Sequence, residues 1–383
     1  MTVDALTQPA SSDQLLARQR RLASAADIAD VDAVIVSTGA DMHYLLGRSQ
    51  GSHERLTALV VPSHGPAFMV VPELERPGWA GSTAESMGLE MVTWPDGDSP
   101  YELIATRLSA VPTINNHSAV AVDDAMPIIH AQNLRDALGC PVSPAGELIR
   151  GMRIIKSSDE LDALTAVAQA IDRIHARVGE WLRPGRSETE VGRDIAAAIV
   201  DEGHERPDFV IVGSGPHGAS PHLDQTDRII ASGDPVVIDI GGPAPSGYFS
   251  DSTRTYCVGE PSDPQFAHVH EIVAQAQEAA VRAARAGVSA ASVDQAARAV
   301  IDAAGYGQYF ITRTGHGIGL EVHEEPYIVR GDDRLLSPGM AFSVEPGIYL
   351  PGRFGVRIED IVIITEHGAA RRLNRSPIDW RLG

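Results

Sequence analysis

The stretch that decides the fold of this 383-residue chain is residues 236–255, Val-Val-Ile-Asp-Ile-Gly-Gly-Pro-Ala-Pro-Ser-Gly-Tyr-Phe-Ser-Asp-Ser-Thr-Arg-Thr. Its apolar beginning is typical of a strand buried on both faces, and the alternation around Asp251 indicates the second strand of a hairpin. Asp239 interrupts the buried strand, where an unpaired carboxylate would cost on the order of several kcal/mol. Asp239 therefore needs a cationic partner, either a metal ion or the basic side chain of a buried ion pair.

Three further candidate ligands lie in short patterned segments nearer the C-terminus. His316 lies between glycines, which allow the backbone to approach a bound group closely. Glu345 ends a strand-like stretch, and the alternation around Glu359 places it on the same strand face as Arg357. Each position also has an ordinary structural explanation, such as a turn cap or a polar strand face. It is their occurrence together in one chain that indicates a site.

Together these positions supply four carboxylates and one imidazole, from Asp239, Asp251, His316, Glu345 and Glu359. That set has too many ligands for a tetrahedral zinc site, and it suits a pair of hard divalent ions bridged by carboxylate oxygens. Such a pair activates a water molecule as a nucleophile at neutral pH. The residues therefore predict a metal-dependent hydrolase with two divalent ions. Carboxylate-rich ligation favours Mn²⁺ over Zn²⁺, with Co²⁺, Zn²⁺ and Fe²⁺ as alternatives.

The segments that carry these residues resemble the motif set of the pita-bread metallopeptidases. This family contains methionine aminopeptidases, Xaa-Pro aminopeptidases, Xaa-Pro dipeptidases (prolidases) and the metal-free creatinases. The ligand order Asp, Asp, His, Glu, Glu is the same, and all five positions are filled, which argues against the creatinase branch. The resembling segments are Asp239 to Gly241, Ser250 to Thr255, Gly315 to Glu324, Val344 to Gly347 and Arg357 to Asp360.

The resemblance implies a role for each metal ligand. Asp239 would chelate one ion, and Asp251 and Glu359 would bridge both ions. His316 and Glu345 would complete the ligands of the other ion. Glu345 would also be the general base that takes a proton from the bridging water, a task that suits a carboxylate within hydrogen-bond reach.

The resemblance also implies roles for three residues that are not metal ligands. His222 and His323 correspond to two histidines that flank the substrate. One would stabilise the tetrahedral oxyanion, and the other would contact the peptide carbonyl or the leaving nitrogen. Arg357 corresponds to an arginine that would hold Asp251 or Glu359 in place.

The chain departs from the family pattern in two places, and one assignment has an alternative. The two aspartates are twelve positions apart where eleven is usual, and the hairpin turn between them can take the extra residue at little cost. Thr312 stands where many proline-specific members carry a histidine, four residues before His316. His217 is the alternative to His222, which matches the family pattern better.

The N-terminal half predicts a separate α/β domain. Short apolar runs alternate with helical segments, which indicates a mixed or parallel sheet with helices on its faces. A connecting segment at 141–146 and a helix-capping box from Ser157 to Glu160 indicate a boundary near residue 152. The predicted domains are residues 1–152 and 153–383.

Beyond that boundary the pattern predicts four helical runs, and every candidate ligand lies outside them. Two of the runs, at about 264–286 and 290–304, end at the C-capping glycines Gly287 and Gly305. This arrangement places the ligands on a central antiparallel sheet wrapped by helices, which resembles the α+β pita-bread fold. Prolidases and creatinases also carry an N-terminal domain of similar size, so the resemblance extends to the whole chain by architecture.

Composition excludes several classes of partner. A formal charge of −20 makes nucleic acid and anionic membranes unsuitable partners. Cys140 and Cys257 are the only cysteines and have no paired spacing, so we expect neither a disulfide scaffold nor a zinc knuckle. We expect no signal peptide and no membrane-spanning segment, and therefore a cytoplasmic protein.

The candidate ligands predict a metal-dependent hydrolase, and the resemblance implies that it is an Xaa-Pro dipeptidase, which hydrolyses the bond before proline in short proline-containing peptides. The resemblance also implies a homodimer, with the N-terminal domain of one subunit near the active-site mouth of the other. Within the same class, the alternative is an Xaa-Pro aminopeptidase that acts on longer peptides. From other classes, the alternatives are a creatinase-like enzyme, a hydrolase of non-peptide amides or phosphoesters, and a non-catalytic binding protein on the same fold.

Overall fold

The computed structural model describes Leu6 and residues 9–50, 53–111 and 119–382. Within this part of the chain the contacts define two compact units. The first runs from Pro9 to Arg153, and the second contains Leu6 and the chain from Ile154 onward. The division lies one residue beyond the boundary that the sequence predicts.

The first unit is an α/β domain built on a six-stranded mixed sheet. Its strands are β1 (Ala33–Ser37), β2 (Ala58–Pro62), β3 (Phe68–Pro72), β4 (Glu90–Trp94), β5 (Val120–Val122) and β6 (Val142–Pro144). The strand order is β4-β3-β2-β1-β5-β6, in which β2 is antiparallel to both of its neighbours and the other pairs are parallel. The helices are α1 (Ser12–Ile28), α2 (Ala40–Leu46), α3 (Thr83–Ser86), α4 (Pro100–Ser109), α5 (Ile128–Leu138) and α6 (Glu147–Arg153), with a 3₁₀ helix at Glu73–Trp79.

The central strands of this sheet explain why the N-terminal half forms such a domain. β1, β2 and β3 are buried at every position. Their sequences are apolar almost throughout, which is the pattern of a sheet covered on both faces rather than on one. The predicted α/β class and mixed sheet are therefore confirmed.

The described helices of the second unit are α7 (Ser158–His175), α8 (Val178–Trp181), α9 (Glu188–Asp201), α10 (Phe266–Ala283) and α11 (Ala290–Ala303), with 3₁₀ helices at Gly215–Ala219 and Gly307–Tyr309. Three of the five described α-helices, α7, α9 and α11, begin at a serine cap. α7 has the predicted capping box, in which the Ser157 and Glu160 side chains each accept a hydrogen bond from the other residue's backbone N–H. Such a box satisfies N–H groups that have no partner within the helix. None of the described helices is long and apolar enough to cross a membrane.

The strands of the second unit form three sheets. They are β7 (Phe209–Ser214), β8 (Pro235–Pro243), β9 (Phe249–Cys257), β10 (Gly315–Gly317), β11 (Glu324–Ile328), β12 (Ala341–Val344), β13 (Gly347–Leu350), β14 (Phe354–Arg357), β15 (Asp360–Ile364) and β16 (Ala370–Arg372). The sheet orders are β7-β8-β9, β11-β10-β12-β15-β16 and β13-β14, and every pair is antiparallel. α10 and α11 pack their apolar faces on these strands in one buried cluster.

The register of the β8–β9 hairpin places its two aspartates on the same face. Asp239 pairs with Thr253, and Asp251 pairs with Gly241. Paired residues share a face and side chains alternate along a strand, so the even spacing between the two aspartates keeps them together. The predicted hairpin is confirmed, and its spacing brings both carboxylates to one site.

Leu6 belongs to the second unit, although the predicted domain boundary assigns it to the first. Its side chain packs with Val167, Ala170 and Ala244 in a small apolar cluster. Its carbonyl accepts a hydrogen bond from the backbone N–H of Ser246 at 3.0 Å. Apolar burial and one backbone hydrogen bond thus hold Leu6 within the second unit.

The second unit encloses the only lysine of the chain. Lys156 is the single lysine among 31 lysines and arginines. Its Nζ lies 2.6 Å from Glu324 Oε1, and the two side chains are 1% and 9% exposed. A Cβ added at Gly319 would lie 2.6 Å from the same carboxylate oxygen, so the space around the pair is tight. The compact ammonium fixes Glu324 at the beginning of β11, directly after His323.

We predict that Lys156→Met lowers the free energy of unfolding by about 3 kcal/mol, because it leaves a buried carboxylate without its ammonium partner. Urea unfolding followed by circular dichroism measures the change. The matched control is Arg282→Met, which removes an exposed ion pair with Glu278 and should cost less than about 1 kcal/mol. Equal losses in the two variants would contradict the prediction.

Candidate metal centre

The candidate site lies in a cavity of about 800 Å³ within the second unit. Ligand pockets of small molecules have volumes of this order. Seven of the eight predicted site residues line it: His222, Asp239, Asp251, His316, His323, Glu345 and Arg357. The eighth, Glu359, is buried and lies close to Asp251 and His316, with which it forms a cluster of candidate ligands. The fold thus brings residues from five separate segments of the chain to one place.

Three of the predicted ligands meet closely at the base of this cluster. One ligand atom each from Asp251, His316 and Glu359 lies within 4.8 Å of the others, and all three residues are buried. His316 Nε2 lies 3.4 Å from Asp251 Oδ2 and 3.2 Å from Glu345 Oε1. The imidazole therefore faces carboxylates from β9 and from the residue that follows β12.

Backbone contacts fix the orientation of His316. Its N–H donates to Ser343 Oγ at 3.1 Å, and its Nδ1 lies 3.0 Å from the Gly317 carbonyl oxygen. Because a carbonyl can only accept, Nδ1 carries the proton and Nε2 is left free to bind a cation. A histidine whose Nδ1–H is held by a carbonyl oxygen and whose Nε2 points to carboxylates is arranged as a metal-binding histidine is.

The glycines beside His316 serve the sheet rather than a bound group. A Cβ at Gly315 would lie 1.9 Å from the Ser343 carbonyl oxygen, and one at Gly317 would lie 2.2 Å from the Glu325 carbonyl oxygen. β10 is therefore pressed between its two neighbouring strands. We expected these glycines to allow a ligand to approach, and the structure shows that they allow β11 and β12 to approach.

Arg357 has a different direct partner from the one expected. Its Nη2 donates to Asp239 Oδ2 at 2.6 Å, its Nη1 to the Tyr349 hydroxyl at 3.0 Å, and its Nε to Thr253 Oγ1 at 3.1 Å. Thr253 Oγ1 in turn donates to Glu359 Oε2 at 2.8 Å. Arg357 therefore holds Asp239 directly and reaches Glu359 only through Thr253, whereas the expected partners were Asp251 or Glu359.

The reason is that the strand predicted around residues 356–362 is two strands. β14 ends at Arg357, and β15 begins at Asp360 in a different sheet. The chain turns between them, so the alternation that places Arg357 and Glu359 on one face does not continue. Because of this turn, the Glu359 side chain points to the cluster of candidate ligands, whereas the Arg357 side chain donates a hydrogen bond to Asp239.

Two carboxylate oxygens of the cluster have no hydrogen-bond partner among the residues that the structure describes. Asp239 Oδ1 and Glu359 Oε1 are buried and accept no hydrogen bond. Buried polar atoms in folded proteins almost always have a partner, so each such exception needs an explanation. Carboxylate oxygens with one imidazole nitrogen form a donor set for hard divalent cations. The residues present therefore fit a divalent metal ion. One oxygen of Asp239 forms a buried ion pair with Arg357, and its other oxygen remains available to a metal ion.

The charges of the cluster shift its pKa values strongly. Burial raises the pKa of Asp251 to about 7, with the charge of Asp239 acting in the same direction. Burial and the charges of Asp251 and Glu345 raise the pKa of Glu359 well above its ordinary value. Burial opposes the charged form of His316, but hydrogen bonds with Asp251 and Glu345 outweigh it and raise its pKa to about 10. The raised pKa values of Asp251, Glu359 and His316 show that the cluster has more negative charge than its own basic groups neutralise.

The two predicted substrate-facing histidines line the same cavity. The His323 ring lies 4.1 Å from the His316 ring at an interplanar angle of 78°. Burial, followed by the charges of His316 and Arg313, lowers the pKa of His323 to about 4, which keeps its imidazole neutral. The alternative residue His217 is not among the residues that line the cavity, and its Nδ1 lies 3.0 Å from Glu188 Oε2.

Sequence reasoning missed several residues of the site. Thr253, Tyr349 and Arg313 were not singled out, although Thr253 links Arg357 to Glu359 and the other two line the cavity. Thr253 lies two residues after Asp251, so the alternation of β9 could have found it. Thr312 also lines the cavity, and its buried Oγ1 accepts or donates no hydrogen bond among the described residues.

Comparison with known proteins identifies a matching family model for each of the two units. Residues 162–366 match metallopeptidase family M24, and residues 18–155 match the creatinase/prolidase N-terminal domain. The chain is 51% identical to "Probable dipeptidase PepE" of Mycobacterium tuberculosis over 93% of its length and 94% of the relative. The crystal structure of dipeptidase PepE from Mycobacterium ulcerans superposes with a TM-score of 0.92 at 48% identity, over 98% of this chain and 99% of that one. The structure of a recombinant prolidase from Thermococcus sibiricus gives 0.87 at 37% identity, over 95% and 98%.

We predict that the candidate metal site stabilises the metal-free protein less as pH rises. The folded-state pKa of Asp251 is raised to about 7, so its contribution is present near pH 4 and is lost by about pH 7; that of His316, raised to about 10, is lost on the way to pH 10. Added Mn²⁺, which binds the folded state, should flatten this slope.

Thermal unfolding of chelator-treated protein between about pH 7.5 and pH 10 measures the slope, with and without Mn²⁺. In this range the buried histidines whose pKa values are lowered are neutral in both the folded and the unfolded state, so they do not contribute. Asp251→Asn is the control, since it removes one titrating carboxylate and should reduce the pH dependence. A melting temperature of the metal-free protein that rises between about pH 7.5 and pH 10 would contradict the raised pKa of His316.

Proposed function

The chain belongs to metallopeptidase family M24, and on that premise we propose that it is an Xaa-Pro dipeptidase. In this role it hydrolyses the peptide bond before proline in dipeptides or short peptides. The observation that carries the proposal is the convergence of four carboxylates and His316 on one cavity, with two carboxylate oxygens left unsatisfied. Relatives of similar length named as Xaa-Pro dipeptidases support the substrate class.

The family assignment also confirms what the sequence predicted of the fold. The first unit corresponds to a creatinase/prolidase N-terminal domain, and the second corresponds to the pita-bread catalytic domain. The chain is therefore a family M24 metallopeptidase with the two-domain architecture of a prolidase.

Five residues would hold the metal: Asp239, Asp251, His316, Glu345 and Glu359. When bound, divalent ions supply Lewis acidity and lower the pKa of a coordinated water. Glu345 is placed to accept the proton of the attacking water, since its carboxylate lies beside His316 and accepts a hydrogen bond from Ser343 at 3.1 Å. Although burial opposes ionisation, the contact with His316 lowers the pKa of Glu345, which keeps it in the form that accepts a proton.

The two histidines would act on the charge that develops during hydrolysis. His323 is neutral and lines the cavity beside His316, so its N–H can donate to an oxyanion without being a metal ligand. His222 lines the same cavity. Arg357 donates to the carbonyl of Pro221, the preceding residue, at 3.3 Å, and thereby connects the segment of His222 to Asp239.

Three finer features stay predictions. Carboxylate-rich ligation favours Mn²⁺, with Co²⁺, Zn²⁺ and Fe²⁺ as alternatives. Homodimer formation rests on the resemblance to prolidases, and sedimentation velocity of the purified chain tests it. A cytoplasmic location rests on the sequence composition.

We predict that the protein, loaded with Mn²⁺, hydrolyses Xaa-Pro dipeptides at least about tenfold faster than Xaa-Ala dipeptides, with Xaa-Pro-Xaa tripeptides slower than the dipeptides; a tenfold rate ratio corresponds to about 1.4 kcal/mol of transition-state discrimination. Product release in the presence of each candidate metal measures these rates. Equal cleavage of the tripeptides would identify an Xaa-Pro aminopeptidase instead. Failure to cleave any peptide would reject the proposal and favour a non-peptide amide substrate.

A second prediction separates the histidines from the ligands. His323→Ala and His222→Ala should each lower kcat by about 100-fold, the typical effect of removing a donor aimed at transition-state charge, while metal content stays near that of the unsubstituted protein. Glu359→Ala is the contrasting variant, which should lose bound metal as well as activity. Metal analysis beside steady-state kinetics makes the measurement. Loss of metal from either histidine variant would mean that the residue is a ligand.

A further inference from the structure

One buried carboxylate holds both ends of residues 214–226, the His222 segment. The carboxylate belongs to Glu188, which is fully buried at the beginning of α9. Its Oε1 accepts hydrogen bonds from the Ser214 N–H at 2.8 Å and from the Ser214 hydroxyl at 2.6 Å. Its Oε2 accepts hydrogen bonds from the Thr226 N–H at 3.1 Å and from the Thr226 hydroxyl at 2.8 Å. A single side chain therefore fixes the first and the last residue of the segment that contains His222.

His217 supplies a further donor to the same carboxylate from within the segment. Its Nδ1 lies 3.1 Å from Glu188 Oε1 and 3.0 Å from Oε2. Although burial opposes the charged form, hydrogen bonds from Ser214, His217 and Thr226 lower the pKa of Glu188, so the carboxylate is ionised at neutral pH. Because an ionised carboxylate can only accept hydrogen bonds, Nδ1 of His217 carries a proton and donates it. His217, the alternative considered for a substrate contact, therefore uses its Nδ1–H within the fold.

The middle of the His222 segment is held by β14. The backbone at Gly218 lies so close to this strand that a Cβ added at Gly355 would overlap the Gly218 carbonyl oxygen. Arg357, at the end of β14, donates to the carbonyl of Pro221 at 3.3 Å. His222 follows directly and lines the cavity. The imidazole is therefore carried by a loop whose backbone is fixed on both sides of it, by Arg357 before it and by the buried carboxylate after it.

A loop is otherwise a poor support for a group that must act on transition-state charge. Connecting segments are the more mobile parts of a fold, whereas a donor for developing charge has to be in position before the reaction. We propose that Glu188 and His217 are positioning residues, which fix the His222 segment and so hold the His222 imidazole at the cavity. This inference rests on the proposed peptidase function, since that function gives His222 its role.

The test removes the donor of His217 in two backgrounds, the unsubstituted protein and His222→Ala, both loaded with Mn²⁺ and assayed with Ala-Pro. In the first background His217→Leu should lower kcat by about tenfold, as for a small misplacement of a catalytic group, with KM and metal content nearly unchanged. His217→Asn, whose side-chain N–H can replace Nδ1–H, should retain most of the rate. In the His222→Ala background His217→Leu should lower kcat by less than about twofold, because residues that act as a unit are not additive.

The matched control is His64→Leu. His64 also lies 3.0 Å from a carboxylate, that of Asp27, but both side chains are about half exposed and belong to the first unit. This substitution should leave kcat unchanged in both backgrounds. If His217→Leu lowers kcat by the same factor with and without His222, then His217 does not act through His222 and the proposal is overturned, while the peptidase function stands.

Hydrogen exchange measured by mass spectrometry separates this inference from the function on which it rests, since it needs no turnover. Glu188→Gln and His217→Leu should each speed the exchange of residues 214–226 by about tenfold, the effect of losing a buried hydrogen bond, and leave β8 unchanged. Equal exchange of the segment in both variants and the unsubstituted protein overturns the inference. A protein that hydrolyses no Xaa-Pro dipeptide rejects the proposed function, and exchange alone then decides whether Glu188 and His217 fix the segment.

Discussion

Repulsion among enclosed carboxylates is the constraint on which the site depends. Asp239, Asp251, Glu345 and Glu359 share one cluster, in which His316 and one guanidinium are the cationic partners. Burial raises the pKa of Asp251 and Glu359 because it removes the water that stabilises their charged forms, and the neighbouring carboxylates raise both pKa values further. Divalent cations offset such repulsion more effectively than a single basic side chain, since their charge is larger and can be shared by several carboxylates. The number of carboxylates and the two oxygens without a partner therefore have the same explanation, which is that the cluster needs additional positive charge.

A second buried arginine holds the backbone around this cluster. Arg254 is 2% exposed and pairs with Asp360 at 2.7 Å. It also donates to the carbonyls of Thr253 at 2.9 Å, Glu359 at 2.5 Å and Ser376 at 2.8 Å. A guanidinium has enough donors to satisfy several acceptors in fixed directions. Arg254 therefore fixes main-chain positions, and the side chain of Glu359 can point to the cluster because its own carbonyl is held from behind.

Local patterns in the sequence were sufficient for the elements and for the ligand types. The β8–β9 hairpin, the capping box at Ser157 and the C-terminal helical runs follow from alternation, caps and glycines, which act over a few residues. The five candidate ligands could be named because their motifs are short and resemble a known set. The partner of Arg357 could not be predicted, since it depends on a turn between β14 and β15 that sends consecutive residues into different sheets. Leu6 was misplaced for a similar reason, because its contacts are distant in sequence.

Among the described basic residues of the second unit, the buried ones and Arg313 have different surroundings. Lys156, Arg254 and Arg357 are buried and paired with carboxylates, so their charges are neutralised within the protein. Arg313 keeps its donors free although Asp208 lines the same cavity. Removing a buried, paired cation leaves a carboxylate without its counter-charge and therefore acts on stability. Arg313 is half-buried and stacks on the Tyr327 ring, and it forms no ion pair among the described residues, so its removal leaves no carboxylate without a counter-charge.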